Sequence, residues 1–271
     1  MHLSAPFGPV RAPVVKFALP FQASFMKILV LISHVPDTTA RIAFTNDNTA
    51  YDANGVQFIV NPYDEWYALV RGLELKEAHG GTVTTITVGG TATEPTIRKA
   101  LAIGADDAVR IDVEPKDGHD VAVQVAAFAK DKGYDLVLAG KETIDHNGSQ
   151  VGAMVAELLD LPFISLANKL DVAGTTAAAE REVRGDVEVV EAPLPLVVSC
   201  AKGMAEQRIP NMRGIMAART KPLQVVPPVA TEALTTSVKF ELPPPKQAVK
   251  MIPADQAGQL IELLHTEAKV I

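Results

Sequence analysis

The 271-residue sequence contains one cysteine, Cys200. That count excludes an intramolecular disulfide, a CxxC redox pair and a cysteine zinc site within the chain. Cys200 closes the apolar run Leu196-Val197-Val198-Ser199-Cys200, where a thiol reads as a small buried hydrophobe rather than a nucleophile. Such cysteine usage fits the cytosol or a similarly reducing compartment. Basic charge is also lacking: the formal net charge is −7, which argues against a general binder of nucleic acid. No stretch reaches the roughly 18 uninterrupted apolar residues of a membrane span.

Catalytic motifs are missing too. The six histidines (His2, His34, His79, His119, His146 and His265) show no HxxxH or HxH spacing for a metal. No GxSxG nucleophile elbow, Walker P-loop or GxGxxG occurs. The expectation is therefore a chain with no catalytic residues and no metal site.

What is present is an apolar mass of Ala, Val, Leu and Ile, with hydrophobic residues at 48% and aromatics at only 5%. Residues 1–25 carry two basic residues, no acids and four prolines, and read as a tail ahead of a start at Met26. From Met26 the pattern is strand, then helix, repeated. The buried strands are Lys27 to Ile32, Val83 to Val88, Ala108 to Ile111 and Tyr134 to Ala139. Helical patterns cover Asp64 to His79, Glu94 to Ile103, Asp120 to Lys132 and Ser149 to Leu159, the first three closed by glycines and the last stopped before Pro162. Alternation at this spacing predicts a mostly parallel, doubly wound α/β sheet. Two extended runs, Ala177 to Val183 and Val187 to Glu191, flank Arg184-Gly185-Asp186 and predict an antiparallel hairpin excursion. Prolines at 222, 227, 228 and 243–245 mark an extended C-terminal arm ending in a short helix from Ala254 to about His265. The expected organisation is a tail (1–25), a nucleotide-binding α/β domain (26–223) and the arm (224–271).

Three βα junctions carry polar or glycine-rich loops: Asn61-Pro62-Tyr63-Asp64-Glu65, Val88-Gly89-Gly90, and the run from Gly140 through Asp145-His146-Asn147-Gly148-Ser149-Gln150-Val151 to Gly152. In an open α/β sheet ligands bind outside the carboxyl ends of the strands, and helix N-terminal amides suit a phosphate. Taken singly, Asn61, Asp64 and Ser149 are also good helix caps. Their convergence on one sheet edge favours a nucleotide site.

A further set of motifs carries a resemblance. These are Glu180-Arg181-Glu182, the hairpin, Pro193-Leu194-Pro195, and Arg208-Ile209-Pro210 ahead of Ile215-Met216-Ala217-Ala218. With the three loops above and Ala100 to Asp106, they resemble the electron-transfer flavoprotein β subunit from about Met26 to Leu223. In that family the β subunit pairs with an α subunit holding a redox-active FAD. Electrons arrive from acyl-CoA dehydrogenases of fatty acid β-oxidation or from other dehydrogenases, and leave for a quinone oxidoreductase. The resemblance implies an AMP site formed by Leu31, Asn61, Asp64, Val88, Gly89 and Asp145 to Val151. It also implies a dehydrogenase docking segment with Met204, Arg208 and Ile209, and contact of Arg181 and Glu182 with the α subunit near the flavin. The arm and terminal helix would pack on the α subunit. Between Cys200 and Lys221 stand five basic residues and one acidic residue, a patch suited to acidic partners. Expected localisation is cytoplasmic in a bacterium, or the mitochondrial matrix in a eukaryote.

Two departures qualify the match. The family's Asn-Gln-Thr in the AMP loop is Ser149-Gln150-Val151 here, and its first-loop aromatic is Thr38. The first change leaves an electron-bifurcating form open, with a second FAD in the AMP position accepting hydride from NADH. A universal-stress-type ATP-binding protein is the alternative from another class.

Overall fold

The computed structural model describes residues 25–246 and 248–271. The tail expected at 1–25 thus lies outside the described residues, apart from Phe25. In chain order the elements are β1 (Met26–Leu31), β2 (His34–Pro36), β3 (Phe44–Thr45), β4 (Ala50–Tyr51), β5 (Phe58–Val60) and α1 (Asp64–His79). Then come β6 (Gly81–Val88), α2 (Glu94–Ile103), β7 (Asp107–Ile111), α3 (Gly118–Ala129), β8 (Leu136–Gly140) and α4 (Val151–Leu159). The chain continues with β9 (Phe163–Ala173), β10 (Thr176–Val183), β11 (Asp186–Pro193), β12 (Leu196–Cys200), α5 (Met212–Ala218), β13 (Leu223–Val226) and α6 (Ala257–Leu263).

These elements form two compact units. The larger comprises the described residues up to Ile42 with Ala53–Thr236, and the smaller comprises Ala43–Asp52 with Ser237–Ile271. In the larger unit a nine-stranded sheet runs in the order β11-β10-β9-β12-β8-β1-β6-β7-β13. The seven strands from β9 to β13 across this sheet pair in parallel. Only β9-β10 and β10-β11 are antiparallel. Helices α1 and α2 pack on one face with Ile28, Val30 and Leu138, while α3 and α4 pack on the other with Leu29, Val137 and Val197. The central strands are therefore apolar on both faces. Each fully buried Leu or Ile there contributes about 1.5–3 kcal/mol.

The expected doubly wound sheet and hairpin are both present. Arg184 and Gly185 both have positive φ, 53° and 92°, between the paired Val183 and Asp186. That is the two-residue turn whose twist matches the flanking strands, and Gly185 adopts it without steric cost. The excursion is larger than a hairpin, because β9 contributes eleven residues as its third strand. Helix α3 begins at Gly118 because the Asp117 carboxylate accepts a bond from Asp120 N at 2.8 Å. The boundary expected at residue 223 falls at the start of β13, which pairs with β7 from Leu223↔Ala108 to Val226↔Ile111.

In the smaller unit β3 and β4 pair antiparallel. Phe44 stacks on Phe240, with ring centroids 5.2 Å apart, and Phe240 N donates to Asn48 O at 2.7 Å. Its helix α6 buries no residue.

Candidate nucleotide crevice and partner surface

Helix α1 leads from β1 to β6 on one side of β1, while α3, on the opposite face, leads from β7 back to β8 on its other side. Strand β1 therefore lies between a neighbour on either hand, β6 and β8. This is the strand-order reversal at which open α/β sheets bind ligands. Register places the carboxyl ends of the three strands side by side, with Leu31 opposite Ile86 and Val30 opposite Leu138. Leu31, Val88 and Gly89 thus share one edge with the loop after Gly140.

The loop from Lys141 to Gln150 is braced from below. Asn61, fully buried, donates from Nδ2 to Glu142 O at 2.8 Å and accepts from Ile144 N at Oδ1, 3.1 Å. The loop also closes on itself: Asn147 N donates to Thr143 O at 2.8 Å, and Ser149 Oγ donates to Glu142 Oε2 at 3.0 Å. Lys141 Nζ lies 2.9 Å from Glu142 Oε1 and 4.0 Å from Asp64 Oδ2. Residues Asp145 to Gln150 are exposed along the edge, and His146 makes only a long approach to Asp145, 3.9 Å. No side chain caps the N-terminus of α4, so Val151 and the residues after it present amides with the dipole's positive end toward the crevice.

Helix capping does not account for Asn61 and Asp64. The residue before α1 is Tyr63, at φ 66°, and no side chain caps that helix. Asn61 spends its amide on the opposite loop instead. Asp64 is nearly buried, and desolvation raises its pKa against the pull of Lys141.

Groups outside the expected set of AMP contacts complete the edge. Glu65, 4% exposed, accepts from Ser33 N at 2.6 Å and from Ser33 Oγ at 2.7 Å. Burial pushes its carboxyl up to about 8; the Ser33 bonds oppose that rise, and Asp145 and Asp64 add to it. Thr87 Oγ1 donates to Ile32 O at 2.8 Å, and His34 stacks on Phe58 while its Nδ1 lies 2.7 Å from Thr96 Oγ1. Desolvation lowers the His34 pKa, countered by Glu114 and Asp145. On the β6 side, the buried Arg110 donates to Gly89 O at 3.1 Å, and Gly89 N donates to Ile111 O at 3.0 Å. Gly140 is required by close approach: a Cβ there would lie 2.6 Å from Glu65 Cγ. The Ser33–Glu65 pair joins residues 32 apart, a separation at which no local motif signals contact.

The expected docking residues separate. Met204 is 4% exposed and belongs to the core that includes Cys200 and Ala167, so its side chain is not offered to a partner in this conformation. Ile209 is 85% exposed, and Met212, Ile215 and Met216 extend the same apolar stretch. Arg208 is held by Glu77 at 2.6 and 2.9 Å. Lys221 turns inward to the carbonyls of Leu101 and Ala105, and burial lowers its pKa. Two of the five cations in this segment are therefore engaged within the chain. On the hairpin, Arg181 bonds Glu188 at 2.5 Å and Ser165 Oγ at 3.0 Å, and Glu182 lies 3.5 Å from Asn168 Nδ2. Burial drives the Cys200 thiol pKa upward, which suits a packing role. Among the described residues no cluster of His, Cys, Asp or Glu fits a metal, and no helix is long and apolar enough to cross a membrane.

A mostly parallel, doubly wound sheet with a polar crevice at its strand-order reversal defines the chain as an α/β protein of the open-sheet class. Comparison with known proteins narrows the class. The family model described as electron transfer flavoprotein domain matches residues 49–231. The electron transfer flavoprotein subunit beta of Bacillus subtilis (strain 168) is 41% identical over 261 residues, covering 91% of this chain and all of the relative. The subunit of that name from Syntrophomonas wolfei is 34% identical over 250 residues, 90% of this chain and 98% of the relative. The mitochondrial subunit from Oryza sativa subsp. indica is 32% identical over 258 residues, 91% and 100%. The chain belongs to the electron transfer flavoprotein family, among its β subunits. It is thus a subunit of an electron-transfer protein.

Proposed function

We propose that the chain is the AMP-holding half of a heterodimer in which an α subunit carries a redox-active FAD. Electrons from acyl-CoA or other dehydrogenases reach that FAD and pass on to a quinone oxidoreductase. The observation carrying this reading is the edge formed by Leu31, Val88, Gly89 and the exposed Asp145–Gln150 loop, at the uncapped N-terminus of α4. Val151 and the residues after it supply backbone amides for a phosphate. Asn61 and Asp64 lie beneath the loop. The partner-facing roles fall to Ile209 with the exposed apolar residues of α5, and to Arg181 and Glu182 on the hairpin. Chain 237–271, with its exposed Leu260 and Ile261, suits packing on the α subunit.

One observation favours a second reading. Val151 supplies no hydroxyl where the family has threonine, so the phosphate grip relies on backbone amides alone. A second FAD in this crevice, reduced by NADH, is compatible with that.

Co-expression with an α subunit tests the proposal. The expected product is a yellow heterodimer, bleached by a reduced acyl-CoA dehydrogenase and inert to NADH. Bleaching by NADH would support the bifurcating form. A stable solitary chain that binds ATP and yields no yellow heterodimer would refute both readings.

A further inference from the structure

One short segment at the start of α1 touches both loops that flank the crevice. Asn61 holds the β8–α4 loop through Glu142 O and Ile144 N. Four residues on, Glu65 holds the segment after β1 through Ser33 N and Ser33 Oγ. Between them Gly140 lets the end of β8 lie against Glu65 and Asp64, with its hypothetical Cβ 2.6 Å from Glu65 Cγ and 3.2 Å from Asp64 Cβ. Both gripping side chains are buried, and their polar ends are occupied by protein groups.

We propose that Asn61 and Glu65 are positioning residues that set the spacing between the β1 and β8 loops, and through it nucleotide retention, without themselves contacting the nucleotide. This rests on the reading of the edge as a nucleotide crevice. It assigns Asn61 a different role from direct ligation. The physical requirement is specific. The Ser33 N–H needs an acceptor, and the Ser33 hydroxyl needs a partner that accepts from it or donates to it. A glutamine at 65 meets both needs, its carbonyl accepting from Ser33 N and its amide donating to Ser33 Oγ. A methionine of similar length meets neither and leaves a buried N–H unpaired.

The test uses the heterodimer with its α subunit, comparing wild type, Glu65→Met and Glu65→Gln. Adenine nucleotide released on denaturation is counted, and AMP binding is titrated on nucleotide-depleted protein. Glu65→Met is expected to weaken AMP binding about tenfold or more, the effect of one lost buried bond. Glu65→Gln is expected to restore binding to within about threefold of wild type, since both bonds are remade. FAD content, and at pH 6 the melting temperature of the nucleotide-free heterodimer, should match between Glu65→Gln and wild type. If Glu65→Met yields no folded heterodimer, Asn61→Asp carries the test. It keeps the acceptor for Ile144 N–H, loses the donor to Glu142 O, and is expected to show the same loss. Wild-type affinity in the folded variant tested overturns the positioning role, as does a Glu65→Gln protein no better than Glu65→Met. A wild-type heterodimer that releases no adenine nucleotide refutes the crevice reading itself, a separate outcome visible before any variant is made.

Discussion

Two surfaces of the larger unit are built on opposite plans. At the carboxyl edge of β1, β6 and β8, the polar groups are tied to one another: Asn61 to the β8–α4 loop, Glu65 to Ser33, Arg110 to Gly89. In the segment from Ile209 to Met216, apolar side chains stand in solvent, with Ile209 and Met212 85% and 71% exposed. The first plan suits a small polar ligand, which needs fixed donors at fixed distances. The second suits a protein, whose apolar surface would cover residues that nothing in the described chain covers. On the proposed function, the chain keeps a rigid grip for a nucleotide apart from an adaptable, methionine-bearing face for partners.

The contrast can be broken by substitution. The largest effect is expected from Asn61→Leu, which strands the Glu142 carbonyl and the Ile144 amide beneath the loop. It should cost about 3 kcal/mol of stability, measured by denaturant unfolding. Gly140→Ala comes next at about 2 kcal/mol, because the new methyl must displace Glu65 from a packed site, and nucleotide content should fall with it.

A smaller effect concerns pH. Folding raises the Glu65 carboxyl to about 8 from 4.5, so across that window the folded chain holds a proton the unfolded chain has released. The contribution is fully present below 4.5 and is lost as pH rises through about 8. Glu65→Gln has no such proton. Its stability relative to wild type should therefore be greater at pH 9 than at pH 6, by on the order of 1 kcal/mol. Parallel unfolding midpoints at the two pH values would contradict this. The smallest change in stability is expected at the other surface: Ile209→Ala or Met212→Ala should stay within about 0.5 kcal/mol. The same variants should slow flavin reduction by a dehydrogenase while leaving nucleotide content intact. A large stability loss there would show that the apolar face belongs to the fold.

The regular elements were legible where their ends carry chemical punctuation. Helices α1 and α2 span the residues expected, since Gly80-Gly81 and Gly104 stop them. Strand β9 was not foreseen, because Phe163 to Ala173 mixes exposed polar residues with a positive-φ Leu166 and a register shift against β12. Strand β13 is only four residues long and precedes two prolines, so it read as the start of the arm. The loops of the crevice were visible as polar βα junctions, but the bonds that fix them were not. Asn61 to Ile144 and Ser33 to Glu65 join distant segments, and only the folded sheet brings them within reach. Met204 reads in sequence as a loop methionine, whereas the structure packs it in the core.

On the proposed function this chain's crevice holds AMP and its partner holds the flavin. Quantifying FAD and AMP released from the denatured, purified heterodimer tests it most directly. One FAD and one AMP per heterodimer are expected; two FAD molecules, or one FAD with no adenine nucleotide beside it, would overturn that reading.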